Sequence, residues 1–310
     1  MNKPTISFPG AIQWLLSRVA IIYVIVFIFC LTCVDLKMLD KRIKIRHLND
    51  AIPDFSTLIN FSNAPHAQQA VDWKPYQIYF GLILRYMPDD LVTRQFLAYV
   101  DFNAGQGQKA IDLYKGAEVL NGQELFWSDY NLGVIYHQQA NWPMAAQYLF
   151  KAISSNPQLM VILMQNSTVY RQISLNPYFK YSLKDEYNEA LSRVHILLLS
   201  SLQHMKLYDK MIAIANLGIS NQDLHYKDAY YYYAGIAFFE AGQVDKAFAL
   251  FQKSLSLEKD NPEVYFYMAN IYQKAGQANQ ARELMKIAYA LYQKNDPRFP
   301  YDKQEELRFF

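Results

Sequence analysis

NLGVIYHQQANWPMAAQYLFKAISSNP, residues 131–157, carries a helical apolar rhythm with a proline near its midpoint. Proline inside a helix removes a backbone donor and clashes with the preceding turn, so one helix cannot run through the stretch. Two helices with a corner can. Asn141 is a favoured N-cap residue, and Pro143 falls in the first turn after it, where a missing N–H costs little. The stretch therefore predicts a helical hairpin with its corner at NWPMAA and with His137 and Gln138 at the end of the first helix.

The pattern recurs. Leu132-Gly133-x-x-Tyr136, then Ala145, Ala152 and Pro157, has a counterpart in Ala234-Gly235-x-x-Phe238, Gly242, Ala247 and Phe251. A third copy reads Met268-Ala269-x-x-Tyr272, Gly276, Ala281, Met285 and Ala288. Gly235 and Ala269 are 34 residues apart, and Gly133 and Gly235 are 102 apart, three such periods. Upstream, Leu97-Ala98, Gly105, Ala110, Tyr114 and Ala117 fit the same template, 35 residues before Gly133.

This spacing resembles the tetratricopeptide repeat (TPR), a helix–turn–helix unit of 34 residues. The resemblance implies an all-α fold, an α-solenoid in which stacked repeats wind into a right-handed superhelix. Small residues at Gly133 and Ala145 let the two helices of one repeat approach, and Ala152 does so for the next repeat. Tyr136 and Phe251 fill the gaps, and Pro157 stops the second helix. Clear repeats are expected at 91–124, 126–159, 228–261 and 262–295. Worn copies are expected at 66–90, closed by Pro88, at 158–191, with a break at Pro177, and at 192–225. In the last of these, KLYDKMIAIANLGI (206–219) puts Met211 and Gly218 in small-residue slots. Residues 296–310 are expected to form a short helix over the apolar face that the last repeat would otherwise expose.

Composition agrees with packed helices: 52% of the 310 residues are apolar, with 25 Tyr and 19 Phe but only 11 Gly. The net charge of +2 is unevenly spread. Residues 1–50 hold seven Lys/Arg against Asp35, Asp40 and Asp50, which leaves 23 basic and 25 acidic residues in 51–310. That balance gives the body no electrostatic footprint for nucleic acid.

After a short tail at 1–10, AIQWLLSRVAIIYVIVFIFCLTCV (11–34) is long enough for a span of about 36 Å, which exceeds a hydrocarbon core of about 30 Å. It is long for a signal peptide and lacks a small-x-small cleavage site. An uncleaved single transmembrane helix at 11–35 is expected, with Arg18 snorkelling beside Trp14. Cys30 and Cys33 lie inside it, where an apolar setting disfavours the thiolate, so they read as packing or lipid-facing residues. Residues 36–65 form a basic juxtamembrane helix and linker. Lys37, Lys41, Arg42, Lys44 and Arg46 there are either a lipid-facing basic flank or an ordinary topology signal. The charge bias puts the body on the cytoplasmic side of a bacterial inner membrane, with the periplasm as the close alternative.

The resemblance also implies a concave groove lined by first helices. Its positions fall on Tyr99, Phe102 and Asn103, on Trp127, Tyr130, His137 and Gln138, on Tyr232, Phe239 and Glu240, and on Phe266, Asn270, Gln273 and Lys274. Rings that bury apolar area and amides that pair with a backbone suit an extended peptide or a partner helix. The positions Gln95, Tyr99, Tyr130 and Val134 lack the Lys/Arg and Asn clamp with which chaperone-binding members hold a terminal carboxylate. In the run Tyr230–Tyr233, Tyr231 takes a large core slot, Tyr232 faces the groove, and Tyr230 and Tyr233 meet neighbouring helices.

No enzyme is expected, and no cofactor, metal or small-molecule substrate. The histidines at 47, 66, 137, 195, 204 and 225 form no i,i+4 pair, and the chain has no phosphate-cradling glycine loop and no GxSxG. Of His195 and His204, which flank an apolar run, at least one is expected to be partly buried and hydrogen-bonded. Two classes remain. One is a membrane-tethered scaffold or adaptor for protein partners, in assembly of an envelope, secretion, pilus or polysaccharide machine. The other is a permanent subunit of a membrane complex, with the repeats as a rigid spacer. An adaptor should show Trp127, Tyr130 and Phe239 accessible.

Overall fold

The structure is a computed structural model that describes residues 71–121, 125–155 and 183–293. The expected membrane span at 11–35, the basic flank at Lys37, Lys41, Arg42, Lys44 and Arg46, most of 158–191 and the terminal segment 296–310 lie outside those residues. Among the described residues no helix is long and apolar enough to cross a membrane.

Every regular element among the described residues is a helix. They form α1 (Lys74–Tyr86), α2 (Leu91–Asn103), α3 (Gly107–Asn121), α4 (Phe126–Gln138), α5 (Trp142–Ser154), α6 (Leu183–His204), α7 (Tyr208–Ser220), α8 (Lys227–Glu240), α9 (Val244–Leu257), α10 (Pro262–Lys274) and α11 (Ala278–Gln293). Local chemistry sets the ends. Asp90 caps α2 by accepting from Thr93 N at 3.0 Å. Asn141 caps α5 by accepting from Met144 N at 3.4 Å, with Pro143 in the first turn. Asn261 caps α10 through Glu263 N and Val264 N, with Pro262 at its start.

Every corner between paired helices is built the same way. Gly105, Ala140, Lys206, Gly242 and Gly276 adopt φ between 55° and 78°. The residue after each bonds back to a carbonyl in the last turn: Gln106 N to Asp101 O, Asn141 N to Tyr136 O, Leu207 N to Leu202 O, Gln243 N to Phe238 O and Gln277 N to Tyr272 O. This Schellman geometry satisfies carbonyls that the helix end would otherwise leave unpaired. Glycine holds it without strain, whereas Ala140 and Lys206 carry a Cβ into the left-handed region.

The pairs α2/α3, α4/α5, α6/α7, α8/α9 and α10/α11 pack as hairpins, and each stacks on the next. The small residues read from the sequence lie at the closest approaches. A Cβ at Gly133 would meet Leu149 Cδ2 at 2.6 Å, and one at Gly235 would meet Phe251 Cε1 at 2.5 Å. Both contacts join the two helices of one repeat. At Gly218 the neighbour is Tyr230 of the next hairpin, at 2.2 Å from such a Cβ. Rings fill the rest: Tyr79, Phe80, Phe96, Tyr99, Tyr114, Phe126, Tyr130, Tyr230, Tyr233 and Phe251 are fully buried. At the seam of α3 with α4 and α5, Lys115 donates to Tyr136 Oη at 3.0 Å, Tyr136 stacks on Tyr148, and Lys151 pairs with Glu118 at 3.4 Å.

Two expectations need correction. Gly133 and Gly235 are three periods apart in sequence but only two steps apart among the described hairpins. Helix α5 packs directly on α6, and α6 also touches α4 and α8, so α6/α7 is the hairpin next to α4/α5. Helix α6 runs unbroken through the boundary expected between 191 and 192. In the tyrosine run, Tyr230 and Tyr233 are fully buried, and Tyr230 meets neighbouring helices as expected, at Gly218 of α7 and Ser192 of α6, but Tyr231 is only half-buried and Tyr232 is buried. Tyr230, which lies against both α7 and α6, takes the core role expected of Tyr231.

Gly133→Ala and Gly235→Ala should each destabilise the chain by about 1–3 kcal/mol through overpacking. Gly81→Ala, in the interior of α1 with open space around the new methyl, should stabilise by about 0.5–1 kcal/mol. Urea unfolding followed by circular dichroism measures both signs.

Candidate functional site

The expected groove positions divide into a covered set and an open set. In the covered set, Trp127 is 5% exposed and Tyr130 0%. Phe126, Trp127 and Tyr130 form one ring cluster, and Tyr187 of α6 lies 4.8 Å from Phe126. His137 is buried, with Nε2 hydrogen-bonded to Ser200 Oγ at 3.1 Å across the α4–α6 seam. Trp142 meets His137 edge-on and stacks on the exposed ring of His204 at 3.9 Å. The next residue, Gln138, points to another side of the helix and stays exposed.

Tyr99 is also buried, 6.4 Å from Trp73, while Phe102 and Asn103 are half-buried. The Asn103 amide donates to Tyr99 O of its own helix at 2.9 Å. Tyr232 is buried against Tyr267 of α10. Helices α4 and α8 bury residues around their whole circumference. The sequence positions mark which face of a helix a residue occupies but not what lies over it, so the accessibility expected of Trp127 and Tyr130 does not hold.

The open set lies on α8 and α10. Phe266, Asn270, Gln273 and Lys274 follow the i, i+4, i+7, i+8 spacing that puts them on one stripe of α10. Phe266 is 40% exposed, Gln273 and Lys274 are exposed, and Asn270 is half-buried. Beside the stripe, Phe239 is half-buried and Glu240 exposed at the end of α8. Lys274 Nζ sits 4.5 Å from the centre of the Phe239 ring, and Tyr267 packs edge-on against the same ring at 5.5 Å. At an exposed ammonium such a contact contributes about 0.5–1 kcal/mol, which orders Lys274 while leaving it open to a partner. The stripe thus offers an apolar end at Phe266, two amides in the middle, and a cation at Lys274 with an anion, Glu240, on the neighbouring helix.

Next to Phe266 is a feature that the sequence positions missed, a cleft of about 160 Å³ lined by Glu263, Phe266, Met285, Ala288, Tyr289 and Tyr292. Tyr292 donates to Glu263 Oε1 at 2.9 Å and Tyr232 to Oε2 at 3.5 Å, so one carboxylate ties α8, α10 and α11 together. Burial, with the Glu263 carboxylate beside it, pushes the Tyr292 phenol far above its ordinary range. The signal for this cleft was present in the repeat, since Glu263, Phe266, Met285 and Ala288 lie 34 residues after Ala229, Tyr232, Phe251 and Ser254.

His195 meets the expectation of a buried, hydrogen-bonded histidine. Its Nδ1 donates to Leu191 O at 2.7 Å, and its ring faces Tyr230. Burial lowers its pKa below 6.5 despite that bond. The unfolded chain therefore takes up a proton that the folded chain resists, and the stability present above pH 6.5 is lost as the pH falls toward the folded pKa. Unfolding free energy measured in urea should drop more between pH 7.5 and 5.5 in the wild type than in His195→Gln.

Residues 130–160 and residues 238–299 each match a family model of the tetratricopeptide repeat. Those two segments therefore carry tetratricopeptide repeats. Repeats of this class are protein-interaction scaffolds rather than catalytic folds. A search of curated proteins found no match. Among solved structures, a crystal structure of MamA is 16% identical and covers 63% of this chain and 94% of its own, with a TM-score of 0.46. MamA from Desulfovibrio magneticus RS-1, from residue 41 to its end, is 12% identical over 67% and 98%, with a TM-score of 0.48. YrrB, described as a TPR protein with an unusual peptide-binding site, is 11% identical over 72% and 94%, with a TM-score of 0.48. At that degree of similarity none of them bears on what this chain binds.

Proposed function

We propose that this chain is a membrane-anchored scaffold whose repeats bind a protein partner, in assembly of an envelope, secretion, pilus or polysaccharide machine. The contrast between covered and open groove positions carries the reading. The stripe Phe266, Asn270, Gln273 and Lys274, with Phe239 and Glu240 beside it, concentrates the accessible recognition chemistry in the last two repeats. Rings anchor a partner segment, the amides pair with its backbone, and the ion-bearing end sets its direction. Residues 11–35 hold the scaffold in a bacterial inner membrane. Lys37, Lys41, Arg42, Lys44 and Arg46 lie against anionic headgroups, and the repeats stand on the cytoplasmic side.

A second reading has its own support. The buried rings of Tyr99, Trp127 and Tyr130 suit a permanent subunit whose first repeats are a rigid spacer. The two readings separate in a pull-down from mild detergent extracts that compares the wild type with Gln273→Ala/Lys274→Ala. These side chains are exposed, so the double variant should keep its fold while losing partner. Unchanged partner recovery would defeat the scaffold reading and leave the spacer.

Sidedness is tested separately. A cysteine introduced at exposed Lys253 in a Cys30→Ser/Cys33→Ser background should react with an impermeant maleimide only after cells are permeabilised. Reaction on intact cells would put the body outside.

A further inference from the structure

The cleft between α10 and α11 holds a carboxylate that neutral groups alone answer. Glu263 accepts from the Tyr292 hydroxyl at 2.9 Å and from the Tyr232 hydroxyl at 3.5 Å. Among the described residues no Lys, Arg or His lies within ion-pairing distance of it. Lys286, one turn before Tyr289 on α11, pairs with Glu283 of its own helix at 2.8 Å. Three rings and a thioether stand around the carboxylate. Phe266, Tyr289 and Tyr292 are 40%, 62% and 47% exposed, and Met285 completes the wall. The helix dipole favours an acidic residue in a first turn, which accounts for Glu263 at the start of α10. It does not account for three exposed rings gathered at the same carboxylate.

We propose that this cleft takes an arginine side chain of a protein partner, with the guanidinium on the Glu263 carboxylate among the rings of Phe266, Tyr289 and Tyr292. A carboxylate has about four lone-pair positions. The two phenols use one on each oxygen, so both oxygens can still accept from the fork of a guanidinium. Aromatic faces attract a cation, and a guanidinium stacks flat on them and gives up water more readily than an ammonium. A carboxylate ligand would meet Glu263 as a like charge. An apolar one would strip water from that charge without replacing it. The approach is acidic as well, since Glu258 and Asp260 precede Glu263 against Lys259 alone.

The cleft shares Phe266 with the open stripe, which is why the cation is placed on a protein rather than on a free small molecule. Glu263 and Lys274 lie eleven residues apart on α10. That is about 16 Å at 1.5 Å per residue, a distance that about five residues of extended chain cover. A segment with arginine at one end and an acidic group about five residues away would lie along the stripe in one direction only. Placing the arginine in a partner rests on the scaffold reading; the cleft's preference for a guanidinium does not.

The test uses the full chain in neutral-lipid nanodiscs and saturation-transfer NMR of N-acetyl-arginine methylamide, with empty nanodiscs as the blank. The citrulline counterpart is its uncharged isostere. The arginine compound should bind more tightly than the citrulline one by about tenfold or more, and more weakly as salt is raised. Glu263→Gln should erase that preference. Because Glu263 also ties α8, α10 and α11 together, Tyr289→Ala serves as the second variant. It removes a ring that is 62% exposed, so the fold should hold while arginine binding weakens by about threefold. Equal binding of the two compounds would overturn the proposal. So would arginine binding that both variants leave at the wild-type level. Tetramethylammonium, titrated in parallel, should bind more weakly than the arginine compound; tighter binding would overturn the proposal by assigning the cleft to a small quaternary cation. None of these results depends on the pull-down with Gln273→Ala/Lys274→Ala, so the cleft can fail while the scaffold reading stands, and the reverse.

Discussion

A methyl group at Gly133 would lie 2.6 Å from Leu149, and its absence sets how close α4 and α5 can come. The same missing atom at Gly235 admits the edge of Phe251. Close approach of paired helices lets large rings interlock instead of holding the helices apart, which is how a chain with so many Tyr and Phe reaches interior density. The corners serve the same end. Each Schellman turn reverses the chain within a few residues while satisfying its own carbonyls, so the pair starts in contact. Packing within hairpins then leaves one exposed edge, and stacking consumes it.

Stacking also decides where recognition can occur. First helices in the middle of the array are enclosed on all sides, and α4 even buries Ser128, Asp129 and Asn131. Among the described residues α10 is the last first-helix, and hairpins stack on one flank of it only. Its stripe of ring, amide and ammonium stays open for that reason and not because its residues are more polar than those of α4. Availability for binding is a property of position in the stack.

Much of this was legible in the sequence. Asn141 and Pro143 announced a corner, the small residues recurred at the period of the repeat, and the caps fell at helix starts as their chemistry requires. These features are local, and local chemistry is what a linear pattern records. Two things were not legible. Counting 102 residues between Gly133 and Gly235 suggests three repeats, yet α5 meets α6 directly, a contact made by surfaces far apart in the chain. Tyr130 and Trp127 occupy the helix face expected of groove residues, but α6, with Tyr187 beside Phe126, crosses near them. Face assignment follows from periodicity; what covers a face follows from tertiary packing.

The direct contact between α5 and α6 has a kinetic consequence. Contacts within hairpins and between successive hairpins join residues close in sequence, so they can form early and in any order. The pair His137–Ser200 spans 63 positions, and making it closes a loop of the chain before packing rewards the closure. Folding should therefore proceed as two arrays, one ending at α5 and one beginning at α6, that zip independently and join last at this seam.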